Sequence, residues 1–109
     1  MDTGGIMQEK KLTDQMFYIL LSLLEPKHGY LSMKFIEEKT HGEIKIGPAT
    51  MYRTLDTLIT DGIILVEEDA DNKKVYSITP LGRKILESNL ESRKETILFA
   101  EKILKGESV

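Results

Sequence analysis

A mainly α-helical fold with one small β-hairpin is predicted by three features of this sequence. Three segments before Gly62 repeat their apolar residues at helical spacing. Two β-rich runs, "IILVEE" and "KKVYSI", are joined by the turn-prone "DADN", which is a hairpin signature. After them, "TPLG" opens a last helix that continues to about Lys105, with Thr79 as cap and Pro80 in the first position. The order helix, helix, short strand, helix, hairpin, long helix is that of a winged helix-turn-helix followed by a long C-terminal dimerisation helix.

Residues 1–11 show no periodicity and contain a Gly-Gly pair, so a flexible tail is expected there. The winged domain then occupies 12–79 and the dimerisation helix 80–109. Thr13 caps a first helix, Asp14 to Leu24, whose Met16, Phe17, Ile19, Leu20, Leu21, Leu23 and Leu24 cover most of its circumference. A helix apolar on most sides is buried on most sides, so this one is expected to touch more than its own domain. A strand is the alternative for so apolar a run, but the length and the Met/Leu content favour a helix, which Pro26 stops. The second helix, Tyr30 to Thr40, has a narrow apolar face of Leu31, Phe35 and Ile36, with Lys34, Glu37, Glu38 and Lys39 largely opposite. Gly42 suits its C-terminal end. "EIKI" alternates and reads as a short strand.

The third helix runs from Pro48 to Thr60, with proline at the first position and Gly62 placed to end it. At about 100° per residue, Met51, Leu55, Leu58 and Ile59 share one face. Opposite them lie Arg53, Thr57 and Thr60, with Ala49 and Thr50 beside them and Tyr52 at the flank. In the last helix Leu86, Leu90, Ile97 and Leu104 form a seam at four-three spacing, with Arg93 and Ala100 in the intermediate places. Leu98 and Ile103 widen it. Such a helix has no obvious core to join in its own chain, which predicts a homodimer; a helix folded back on its own domain is the alternative.

Composition narrows the function. With 109 residues the chain is one domain, or one domain and an extension. It has no cysteine, so neither a disulfide framework nor a thiolate metal site is expected, which fits a reducing cytoplasm. The longest apolar run, "MFYILLSLL", is too short to cross a membrane. His28 and His41 lack ligand spacing, so no metal is expected. No phosphate-binding glycine loop and no nucleophile elbow occurs, so no cofactor and no enzymatic activity are expected. The net charge of −3 argues against a general nucleic-acid coat, yet the charge is uneven. Lys27, Lys34, Lys39, Lys45 and Arg53 cluster before residue 54, whereas every charge from Asp61 to Asp71 is acidic.

An ordinary solvent-facing helix carries lysine and glutamate; the third helix instead shows short side chains and one long cation. A threonine-tolerant surface helix is one reading. The other is a surface cleared for close approach, with a helix N-terminus that offers free N–H groups to a phosphate. In a winged topology this helix enters the major groove of double-stranded DNA. There Arg53 can contact guanine, and the threonines can meet a base edge or a thymine methyl. Lys34 and Lys45 are placed to hold phosphates. The hairpin tip is acidic, so only Lys73 and Lys74 on its returning side could touch DNA; a merely solubilised hairpin end is the alternative.

"HGY" at His28 to Tyr30, "GEIKIGPATMYRTLDTLITDGII" and "KKVYSITPLGRKIL" together resemble the PadR family of bacterial transcriptional regulators, in its short form with a single C-terminal helix. The resemblance covers about Leu12 to Leu90. It implies a homodimeric DNA-binding regulator, usually a repressor, acting on a palindromic operator. By position it assigns DNA contacts to Ala49, Thr50, Tyr52, Arg53 and Thr57, with Tyr30 and Lys34 as weaker candidates. It places the dimer interface on the last helix, helped by the first, hence Phe17 with Leu86, Leu90, Ile97 and Leu104. Some relatives hold a flat aromatic inducer in that interface with a tryptophan; here Arg93 stands in the corresponding place. Asp14, Tyr18, Ser22 and Arg93 are therefore the candidate pocket for an aromatic or anionic inducer, or else Arg93 pairs with Asp14 across the interface or stands in solvent. Two readings from other classes are a winged-helix module that binds a protein, and a small-molecule carrier.

Overall fold

The computed structural model describes residues 10–106. Helices α1 (Asp14–Ser22), α2 (Gly29–Lys39) and α3 (Pro48–Thr60) precede an antiparallel hairpin of β1 (Ile64–Glu68) and β2 (Lys74–Ile78). Helix α4 (Pro80–Leu104) follows. The hairpin register pairs Ile64 with Ile78 and Val66 with Tyr76. Residues 1–9 of the expected tail lie outside the described residues. Its end is held: Leu12 is buried, and Asn89 of α4 accepts from the N–H of Leu12 at 2.9 Å and donates to the carbonyl of Lys10 at 2.9 Å.

Local chemistry sets the helix starts. The hydroxyl of Thr13 accepts from the N–H of Met16, closing the first turn of α1. Thr79 does the same for Gly82 at the start of α4, and its own proton goes to the carbonyls of Gly62 and Ile63. That hydroxyl ties the end of α3, the start of the hairpin and the start of α4 together. Gly82 must be glycine here, because a Cβ would run into the backbone carbonyl of Ile63.

Ile19 and Leu20 of α1, Met51, Leu55 and Leu58 of α3, and Ile85 of α4 build one fully buried core, with Ile64 and Tyr76 of the hairpin against it. Three expectations are corrected. "EIKI" forms no strand: Ile46 enters the core, and the N–H of Ile44 is taken by the hydroxyl of Thr40 at 3.0 Å. The free edge of β2 is occupied instead by Lys27, which exchanges both backbone hydrogen bonds with Tyr76. Leu31 is 46% exposed, and the inward stripe of α2 is Gly29, Ser32 and Ile36. Small residues let α2 approach α1 closely, where the buried hydroxyls of Ser22 and Ser32 bond each other. Finally, α1 ends two residues earlier than expected, at Ser22, although Leu23 still packs into the core.

Candidate nucleic-acid interface

The outer face of α3 is built as its periodicity predicts. Ala49, Tyr52, Arg53 and Thr57 are exposed and Thr50 is half-buried. The N-cap Gly47 brings no side chain to the helix start, and the carbonyl of Gly47 takes the N–H of Met51, so the amides of Ala49 and Thr50 have no acceptor among the described residues. Thr57 donates its proton to the carbonyl of Arg53 at 3.2 Å, and Thr60 to that of Asp56 at 3.0 Å. Each hydroxyl oxygen is thereby left as an acceptor with a methyl beside it. Asp56 also lies exposed on this helix; its signal was present at helical spacing from Tyr52, and it adds an acceptor suited to a cytosine amino group.

The candidate lysines stand on both sides of α3. Lys34 and Lys45 line one groove of 620 Å³ with Tyr30, Gly47 and Pro48, and Glu37 and Glu38 temper its charge. Lys73 and Lys74 line a second cleft of 530 Å³ with His28, Tyr30, Tyr52 and Tyr76. Tyr30 thus belongs to both. Among the described residues none of these four lysines, nor Arg53, makes a salt bridge, so their charges are free for a partner.

Tertiary structure explains the "HGY" segment. The ring of Tyr52 lies against the start of α2, where a Cβ on Gly29 would sit 2.8 Å from Cε1 and 2.9 Å from Oη. Tyr52 remains 42% exposed, so the same ring packs on Gly29 and presents an edge to the cleft. His28, the N-cap of α2, donates from Nε2 to Oδ2 of Asp69 in the hairpin turn at 2.8 Å. The N–H of Lys73 first, and then the imidazole of His28, hold the Asp69 carboxyl below its usual value. Nothing in the sequence paired the His28 of "HGY" with Asp69, because no spacing links residues 41 apart.

A second surface lies away from α3. Phe17, Leu21, Leu24, Leu86 and Leu90 line an apolar groove of 270 Å³ between α1 and α4, with Arg83 and Glu87 at its rim. Leu86, expected on the seam, is only 5% exposed; it forms the floor of this groove and belongs to the protomer's own core. Beyond Arg93, every residue of α4 is exposed. Leu90, Ile97 and Leu104 are exposed, and so are Leu98, Phe99 and Ile103 on the other sides of the same helix.

None of the four residues expected to form an inducer pocket lines any of the three cavities described above. Ser22 is buried and bonded to Ser32 and to the carbonyl of Ile19. Tyr18 packs against the core. Arg93 pairs with Asp14 at 3.0 Å within one chain, and its guanidinium stacks 4.2 Å from the Phe17 ring. The reason is geometric: α1 and α4 of the same protomer are adjacent, so the cation finds its partner locally.

Residues 19–88, which run from the last turn of α1 to the first turns of α4, match the model of the "Transcriptional regulator PadR-like family". The chain belongs to the PadR-like family of transcriptional regulators. The family is one of transcriptional regulators, and the relatives that follow carry that name rather than an enzyme's. It is 35% identical over 90 residues to the transcriptional regulator YqjI of Escherichia coli, a match that covers 81% of this chain but 44% of the relative. The chain therefore spans less than half the length of that relative. Over 75 residues it is 35% identical to the transcriptional regulator Rv3488 of Mycobacterium tuberculosis, covering 66% of each.

Among solved structures, a transcriptional regulator from Clostridium thermocellum superposes with a TM-score of 0.71 at 26% identity, covering 84% of this chain and 96% of that one. F93 from STIV, described as a winged-helix DNA-binding protein, superposes with a TM-score of 0.57 at 26% identity, covering 90% of this chain and 100% of the other. The PadR-like fold here is accordingly a winged helix. No described helix is long and apolar enough to cross a membrane. Nor, among the described residues, do three or more His, Cys, Asp or Glu side chains gather as a metal site would require.

Proposed function

We propose that this PadR-like chain is a cytoplasmic, homodimeric repressor that inserts α3 of each protomer into successive major grooves of a palindromic operator. The observation that carries this reading is the outer face of α3: small, uncapped at its N-terminus, centred on Arg53, and flanked by the unpaired Lys34 and Lys45 on one side and Lys73 and Lys74 on the other. In this reading Arg53 contacts guanine, Ala49, Thr50, Tyr52 and Thr57 meet neighbouring base edges or methyls, and the lysines hold phosphates. The half-sites lie about one turn of DNA apart, roughly 34–36 Å.

Dimerisation is supported by the exposed end of α4. Ile97, Leu98, Phe99, Ile103 and Leu104 are exposed on that helix, a stripe wider than a single seam, beside the charged Lys94, Glu95, Glu101 and Lys102. An apolar stripe of that width calls for a partner surface. Pairing α4 with the α4 and α1 of a second copy supplies it, and full burial of each large side chain stabilises by roughly 1.5–3 kcal/mol. An aromatic or anionic inducer would enter the groove between α1 and α4, near Arg83, rather than the side of α1 where Arg93 is already paired.

The test is binding of the purified protein to DNA from upstream of its own gene, measured by fluorescence anisotropy at several salt concentrations. Binding should weaken steeply with salt, Arg53→Ala should lose about 1–3 kcal/mol, and sedimentation should give a dimer that Ile97→Glu dissociates. Salt-independent binding, or an Arg53→Ala variant equal to the wild type, refutes the α3 assignment. A monomer at micromolar concentration refutes the dimer.

A further inference from the structure

The hairpin turn of this chain is acidic, with Glu67, Glu68, Asp69 and Asp71 ahead of Asn72. Beside DNA such residues repel phosphate, so charge counting alone says that removing any of them tightens binding. Asp69 stands apart from the other three. Its Oδ1 accepts from the N–H of Asp71 at 2.8 Å and of Lys73 at 2.9 Å. Its Oδ2 meets Nε2 of His28 at 2.8 Å. The backbone closes around the same residue: the N–H of Asp69 donates to the carbonyl of Lys73, and the N–H of Asn72 donates to the carbonyl of Asp69. Asn72 takes the left-handed conformation this turn demands, with φ of 60°.

One carboxylate therefore sets the turn and ties it to the start of α2. The chain leaves the turn directly into Lys73 and Lys74, which line the cleft shared with His28, Tyr30 and Tyr52. Glu68 is paired with Lys74 in the hairpin register but makes no salt bridge with it, so Lys74 stays free. The depressed carboxyl of Asp69 is consistent with a charge already engaged by donors inside the protein.

Resting on the DNA-binding reading above, we propose that Asp69 and His28 are positioning residues. They clasp the hairpin turn to the N-terminus of α2 and so aim Lys73 and Lys74 at the phosphate backbone that runs beside α3. An acidic residue at the DNA face then strengthens binding, the reverse of its bare electrostatic effect.

The sign of one substitution separates the two accounts. Asp69→Ala should bind operator DNA roughly tenfold more weakly, and the slope of log K against log salt should fall by about one to two as the two lysines lose their phosphates. Asp71→Ala is the charge control: the Asp71 side chain makes no hydrogen bond among the described residues, so its removal should leave binding equal or tighter. Asp69→Asn keeps an acceptor for the two turn amides and should recover most of the affinity. His28→Ala leaves those amide bonds in place, removes the clasp, and should fall between Asp69→Ala and the wild type. Adding Lys73→Ala and Lys74→Ala to Asp69→Ala should cost nothing further. The proposal is overturned if Asp69→Ala binds as well as or better than wild type while Arg53→Ala still fails, or if the lysine losses add in full. Wild-type protein that shows no salt-dependent binding defeats the underlying DNA reading instead.

Discussion

Replacing Gly82 by alanine should destabilise this protein, although intrinsic helix propensity says the opposite. Gly82 sits in the first turn of α4, where alanine is worth about 1 kcal/mol more than glycine. Against that, the added Cβ would meet the backbone carbonyl of Ile63, with Cγ1 of Ile78 only 2.8 Å away. A carbonyl in the backbone cannot swing aside as a side chain can, so the cost belongs near the top of the overpacking range, about 3 kcal/mol. Moving α4 outward also stretches the bond from Gly82 to Thr79 and the two from Thr79 to Gly62 and Ile63, a loss comparable to a helix cap, about 1 kcal/mol. The net expectation is a loss of about 3 kcal/mol, or roughly 10–20 °C in Tm for a domain of this size. Urea and thermal unfolding followed by far-ultraviolet circular dichroism would measure it, with protein concentration held constant because dimerisation shifts apparent stability. A Gly82→Ala variant as stable as wild type, or more so, would refute the close-packing account.

Gly29→Ala should behave differently, since the atoms its Cβ meets belong to the ring of Tyr52, the partly exposed end of a side chain that can rotate aside. Stability should change by less than about 1 kcal/mol, while DNA affinity falls because Tyr52 is driven out of the cleft; equal losses in both, or in neither, would contradict this. Burial raises the phenol of Tyr76 above its usual value, with smaller contributions from Tyr52 and Asp56. A folded-state pKa above the unfolded one means stability that is complete below about pH 10 and lost as pH rises through the folded value. Urea midpoints of wild type should therefore drop more steeply above about pH 10 than those of Tyr76→Phe; parallel profiles would show that Tyr76 does not couple to folding.

Most of the secondary structure was legible because its causes act over a few residues. Thr13 and Thr79 cap the helices that follow them, Pro48 and Pro80 stand in first turns, and Met51, Leu55 and Leu58 recur at the helical period. The same period exposed the face of α3 with Arg53 and Thr57. "EIKI" shows where such reasoning fails, since alternation fits a strand and equally a loop that drops Ile46 into the core. Leu31 and Ser32 show it again: which side of α2 turns inward depended on how closely α1 could approach, and small residues were chosen over a leucine.

By itself, then, the sequence determined the order of elements, their caps, the apolar faces and the plain surface of α3, because hydrogen bonds and side-chain neighbours within a turn or two decide those. Only the tertiary structure decided that Tyr52 rests on Gly29, that Lys27 completes the edge of β2, that Leu86 serves its own core, and that Arg93 pairs with Asp14 in the same chain. It alone joined His28 to Asp69 and set Lys73 and Lys74 of an acidic hairpin in one cleft with Tyr52 of α3. These contacts link residues far apart in the chain, where no local period or cap carries a signal; packing the helices and the hairpin around one core is what brings them within reach.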